Sequence, residues 1–146
     1  MRQPLNGPDP MGRKDRPTVE LRIPAVPEWV GVARLAAAGI GSRIGLSIED
    51  IEDLKLAVAE ACTCCIQNAG AGDVRIGATF AEDQITFSVE RAGAGGSARS
   101  GPASTGGESE LGGLGVFLIR ALMDDVTYVS DPASGTKLTL TKTLRK

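Results

Sequence analysis

The chain has 146 residues, 42% of them hydrophobic and 3% aromatic, with a formal net charge of -2. That length buries a proper core in one domain, while the near-neutral charge and scarce aromatics argue against a nucleic-acid partner or base-stacking platforms. No apolar run reaches membrane-spanning length and no signal-peptide pattern opens the chain, so a soluble, cytoplasmic protein without membrane contact is expected.

The three cysteines all fall within Cys62–Cys65 and there is no histidine, which nearly excludes a structural zinc site. Cys62 and Cys65 spell C-x-x-C, but in mid-helix rather than at a helix N-terminus, where a thiolate would be stabilised. They read as small buried residues of a reducing compartment. The missing histidine also removes the commonest general base and any histidine phosphoacceptor.

Met1 to Pro17 holds four of the eight prolines among Gly, Asn and charge, so residues 1–17 are expected to form a disordered tail ahead of a single domain over 18–146. Thr18 to Ile23 alternates as a strand, with Val19, Leu21 and Ile23 on one face. Pro27 suits the first turn of a helix running through Ile44, whose Trp29, Val30 and Leu35 are expected mostly in the core. Ser47 then caps a second helix reaching about Ala69, with Glu49, Asp50, Glu52 and Asp53 in its first turns. Its apolar stripe is Ile48, Ile51, Leu54, Val58, Ala61, Cys62 and Cys65; Glu60, Cys64 and Asn68 share a second face. Residues 69–73 read as a turn, Val74–Phe80 and Gln84–Glu90 as a hairpin, and Gly93–Gly107 as a low-complexity segment, either lid or disordered. A short apolar helix over Leu114–Met123 follows, then strands Val126–Ser130 and Thr136–Leu144. The economical architecture is α+β: one sheet covered by helices on one face.

Two stretches carry chemistry. Taken alone, Glu60 reads as a surface carboxylate; inside a packed helix it needs a partner or a role, because burying it unpaired is costly. Gly112-Gly113-Leu114-Gly115 opens a helix; taken alone it reads either as a tight turn or, through its free N–H groups and absent side chains, as a phosphate cradle. It is neither a P-loop nor a Rossmann fingerprint.

The order of an E-A-C-T helix (Glu60–Thr63), a glycine-rich lid, G-G-L-G-V-F-L (Gly112–Leu118), L-M-D-D-V (Leu122–Val126) and G-T-K-L-T-L-T-K (Gly135–Lys142) resembles the RsbW-type bacterial anti-sigma factors that are also serine kinases, within the gyrase/histidine-kinase (Bergerat) ATPase superfamily. The resemblance runs from Val19 to about Leu144. It implies a two-layer α/β sandwich with a mixed, mostly antiparallel sheet, a lid at about 93–111, ATP and Mg²⁺ as cofactors, and a homodimer. Its implied partners are an alternative, stress-response type sigma factor, which it sequesters, and an anti-anti-sigma factor, which it phosphorylates on serine. Residue by residue it implies Glu60 as catalytic base, Gly93 and Gly95 in the adenine-side loop, Gly112, Gly113 and Gly115 on the phosphate side, and Thr136 near the adenine.

Two positions depart from that pattern. Cys64 stands where the family has the Mg²⁺-holding asparagine, and a thiol is a poor ligand for a hard cation that prefers oxygen. Arg91 stands where a carboxylate accepts the adenine amino proton, and guanidinium offers no acceptor. Losing that hydrogen bond costs roughly 1.5–3 kcal/mol, about ten- to a hundredfold in affinity. The expectation is an anti-sigma protein with weakened or lost ATP binding and no metal ligand at Cys64; the alternative is an active kinase.

Overall fold

The computed structural model describes residues 19–68, 70–93 and 113–144. The expected tail over 1–17, most of the expected lid, Gly95 and Gly112 lie outside the described residues.

Strand β1 (Val19–Ile23) leads through a 3-10 turn at Pro27–Trp29 into helix α1 (Val30–Arg43), followed by α2 (Ile48–Gln67). Strands β2 (Ala71–Phe80) and β3 (Gln84–Ala92), helix α3 (Gly113–Leu122), and strands β4 (Asp125–Asp131) and β5 (Gly135–Thr143) complete the described chain. The sheet order is β1-β2-β3-β5-β4. All four pairings are antiparallel, the antiparallel limit of the mixed sheet expected. The helices cover one face, and the core lies between them and Val74, Ile76, Ile85, Phe87, Val89, Leu138 and Leu140.

Helix α2 is central because it packs against α1, α3 and the sheet together. Ser47 caps it as expected, its hydroxyl accepting from the Asp50 N–H at 3.0 Å, an interaction of about 1 kcal/mol. Leu54, Ala57, Val58, Ala59, Ala61, Cys62, Cys64 and Cys65 are all buried, so the middle of α2 is enclosed nearly all round rather than along one stripe. Its first turn projects beyond the packing, which leaves Ile48 79% exposed.

Other differences are local. The helix expected from Pro27 begins as a 3-10 turn, the Trp29 N–H bonding to the Val26 carbonyl at 3.0 Å, and becomes α-helical at Val30. Val30 is buried, but Trp29 and Leu35 are 43% and 72% exposed, against the expectation of a core role. The expected turn at 69–73 is mostly strand: β2 starts at Ala71, opposite Ala92, and a register shift before Arg75 absorbs the irregularity. The hairpin at 81–83 closes as expected, with Ala81 donating to the Gln84 carbonyl.

Candidate functional site

Two clusters form along one side of α2. The first lies where α3 crosses it. A Cβ built on Gly115 would stand 3.2 Å from the Cys64 sulfur and 3.8 Å from Glu60 Oε1, so glycine lets the two helices meet here without displacing the thiol. Glu60, Cys64 and Gly115 are thereby brought together, with Gly113 opening the same helix. Glu60 is half-buried and Cys64 only 4% exposed. Burial, helped by the nearby Glu60 carboxylate, pushes the Cys64 thiol up to about 11, so it is neutral at physiological pH.

The second cluster begins one turn further on. Asn68 Nδ2 donates to the hydroxyls of Tyr128, Ser130 and Thr136 at 3.1, 3.2 and 3.2 Å, two amide hydrogens shared among three acceptors. Ser130 and Thr136 also share a hydrogen bond at 2.9 Å. Thr136 is 3% exposed, so its hydroxyl is buried with its partners already in place.

Arg91 closes this cluster from below. It sits on the helix-facing side of β3, opposite Thr136. Its Nε donates to the Gly72 carbonyl at 3.0 Å, and Nη1 makes longer bonds to the carbonyls of Cys65 and Asn68 at 3.4 and 3.5 Å. Helix α2 has no basic residue in its last turn, and Arg91 supplies from β3 the cation that a helix C-terminus favours. Gly93 follows at the strand end, where a Cβ would lie 2.6 Å from the Pro132 carbonyl oxygen; the β4–β5 turn leaves no room for a side chain. Gly93, Thr136 and position 91 therefore do gather. The partners Tyr128 and Ser130 are absent from the sequence reading, and only the alternation of β4, which turns Val126, Tyr128 and Ser130 inward, signals them.

The two remaining cysteines line the core side of α2. Cys65 Sγ donates to the Val89 carbonyl at 3.8 Å. Burial pushes the Cys62 thiol up to about 12 and the Cys65 thiol higher still. None of the three is in a disulfide.

A profile of the histidine kinase-like ATPase domain matches residues 23–142. The chain belongs to this family. The serine-protein kinase RsbW of Bacillus licheniformis is 37% identical over 140 residues, covering 88% of this chain and 86% of that one. The serine-protein kinase RsbW of Oceanobacillus iheyensis is 40% identical over 120 residues, covering 74% and 76%. That of Listeria monocytogenes is 38% identical over 136 residues, covering 85% of each. The resemblance to the RsbW type drawn from the motifs therefore holds along most of the chain.

At Cys64, which the RsbW resemblance aligns with a magnesium-holding amide, the thiol is neutral and buried. Asn68, one turn or about 6 Å along the helix, has its amide nitrogen engaged by three hydroxyls. At position 91, which the RsbW resemblance aligns with an adenine-side carboxylate, stands a guanidinium turned onto α2. These side chains do not fit a magnesium–adenine nucleotide of the family's usual kind. Glu60 and Gly115 do lie close together, a Cβ at Gly115 standing 3.8 Å from the Glu60 carboxylate.

Proposed function

We propose that this RsbW-type chain is an anti-sigma protein. It binds and sequesters an alternative, stress-response type sigma factor in the cytoplasm, is countered by an anti-anti-sigma partner, and has weakened or lost ATP binding. The observation that carries the nucleotide part is the pair Cys64 and Arg91, a thiol in place of a metal ligand and a guanidinium in place of an acceptor, each committed to the protein's own packing. The partners are proposed from kinship with the RsbW serine-protein kinases.

A homodimer through β1 and α1 belongs to the same reading. Strand β1 is an edge of the sheet, α1 packs on it, and Trp29, Val32 and Leu35 leave apolar surface exposed beside that edge. No described helix is long and apolar enough to cross a membrane.

The test is gel filtration of the purified protein with a stress-response sigma factor of its own organism, in buffer stripped of nucleotide. Co-elution is expected, and radiolabelled phosphate should not pass from ATP to the anti-anti-sigma serine. Failure to co-elute would overturn the anti-sigma reading. Phosphate transfer would instead establish the active-kinase reading, for which the closeness of Glu60 to Gly115 is the structural argument.

A further inference from the structure

The inward positions of β5 are Thr136, Leu138, Leu140 and 142; both leucines are fully buried, and the fourth residue is a lysine only 5% exposed. The Lys142 ammonium donates to the main-chain oxygen of Leu122, the last residue of α3, at 2.9 Å. Asp50 Oδ1 and Asp53 Oδ2, from the first turns of α2, stand 3.7 and 3.9 Å away. Those carboxylates are beyond hydrogen-bonding distance and supply charge, while the direct bond goes to the helix end. A buried ion pair is often no more stable than a well-packed apolar replacement, so stability alone does not account for a lysine here.

Its neighbours continue the same connection. The Asp124 N–H donates to the Thr141 carbonyl at 2.9 Å, and the Thr143 N–H donates to Asp124 Oδ2 at 2.6 Å. Three successive residues of β5 thus hold the exit of α3, with Lys142 joining it to the start of α2. At its other end α3 places Gly115 over Cys64 and Glu60. Seven residues separate Gly115 from Leu122, a lever of about 10 Å, so a tilt of about 10° at the held end carries Gly115 about 2 Å.

We propose that Lys142 is a positioning residue of the site: it clamps the pivot of α3 and so sets how closely Gly115 covers Cys64 and Glu60. The clamp is built from this chain's own groups and operates whether or not a nucleotide is bound.

Cys64 is the reporter. The full chain is alkylated with iodoacetamide and the modified thiols are resolved by peptide fragmentation. Lys142→Met keeps the aliphatic stem and removes the donor. It is expected to speed alkylation of Cys64 about tenfold or more, with Cys62 and Cys65 changing less than about twofold. Lys142→Arg, which keeps cation and donor, should bring Cys64 back toward the original rate. Equal acceleration of all three thiols would mean general loosening and would overturn the proposal. If Lys142→Met does not fold, the double variant Asp50→Asn, Asp53→Asn, at two partly exposed carboxylates, tests the same clamp. A smaller but still selective acceleration at Cys64 is expected; an unchanged Cys64 rate would overturn it.

Discussion

Glu90 and Arg91 are consecutive in β3 and point to opposite faces of the sheet. Glu90 Oε2 pairs with Arg75 at 3.5 Å on the uncovered face, while Arg91 runs on the helix-covered face to the end of α2. Glu90 therefore cannot offer its carboxylate on the helix-covered face, since a one-residue shift reverses the side of a strand. Arg91 has instead become part of the frame that ends α2.

Removing that frame should be felt in stability. Arg91→Ala takes away one short and two longer hydrogen bonds to main-chain carbonyls, together with the cation at the helix C-terminus. A loss of about 1–3 kcal/mol is expected in urea unfolding. Arg91→Lys should recover only part of it, because an ammonium cannot fork between the Gly72 side and the helix end.

Gly115 separates a small change from a large one. Gly115→Ala gains helix propensity of roughly 1 kcal/mol but needs Cys64 to give by a few tenths of an ångström, so thermal unfolding should shift little. Gly115→Leu has no such room and should destabilise by about 1–3 kcal/mol through overpacking. An unchanged midpoint for Gly115→Leu would mean that α3 does not hold its place over Cys64.

How far the sequence reveals all this differs from residue to residue. Helix α2 is legible because its Ser47 cap, its N-terminal acids and its apolar spacing agree; burial beyond that one stripe is not, since it depends on α1 and α3 flanking the helix. The meeting of Glu60 with Gly115 follows from motif resemblance, not from periodicity. Asn68's contacts with Tyr128, Ser130 and Thr136 span 60, 62 and 68 residues and are fixed only by strand order. Lys142 sits at a period-2 inward position near a strand end, where a lysine ordinarily reaches solvent; here its ammonium instead meets the end of α3 and the first turns of α2. Trp29 and Leu35 mislead because the buried face of α1 is Val30, Ala33, Ala37 and Gly41, which leaves Leu35 on the open face and Trp29 in the preceding 3-10 turn.

The thiols give a pH signature. Burial raises Cys62 to about 12 and Cys64 to about 11, from an ordinary value of 9.0. The folded state thus keeps these protons over a range in which the unfolded chain loses them. The associated stability is complete below about pH 9 and is lost as pH rises toward 11 and 12, each thiol changing the folding constant by up to roughly tenfold per pH unit. Urea midpoints measured at increasing alkaline pH should fall accordingly, and Cys62→Ala should flatten the slope.

Cys64→Asn returns an oxygen donor to the face shared with Glu60. ATP affinity in the presence of Mg²⁺ should rise by about tenfold or more, with little change when the metal is chelated. A rise of equal size with and without the metal would show that the substitution acts through packing against α3.

The most direct measurement is calorimetric titration of the unaltered protein with ATP, with and without Mg²⁺. The thiol at position 64 and the guanidinium at position 91 predict weak or undetectable heat and little dependence on the metal, in a protein that is folded and still binds the proposed sigma factor. Tight, magnesium-dependent binding would contradict the account: the site would then hold nucleotide by contacts other than those the family uses at Cys64 and Arg91.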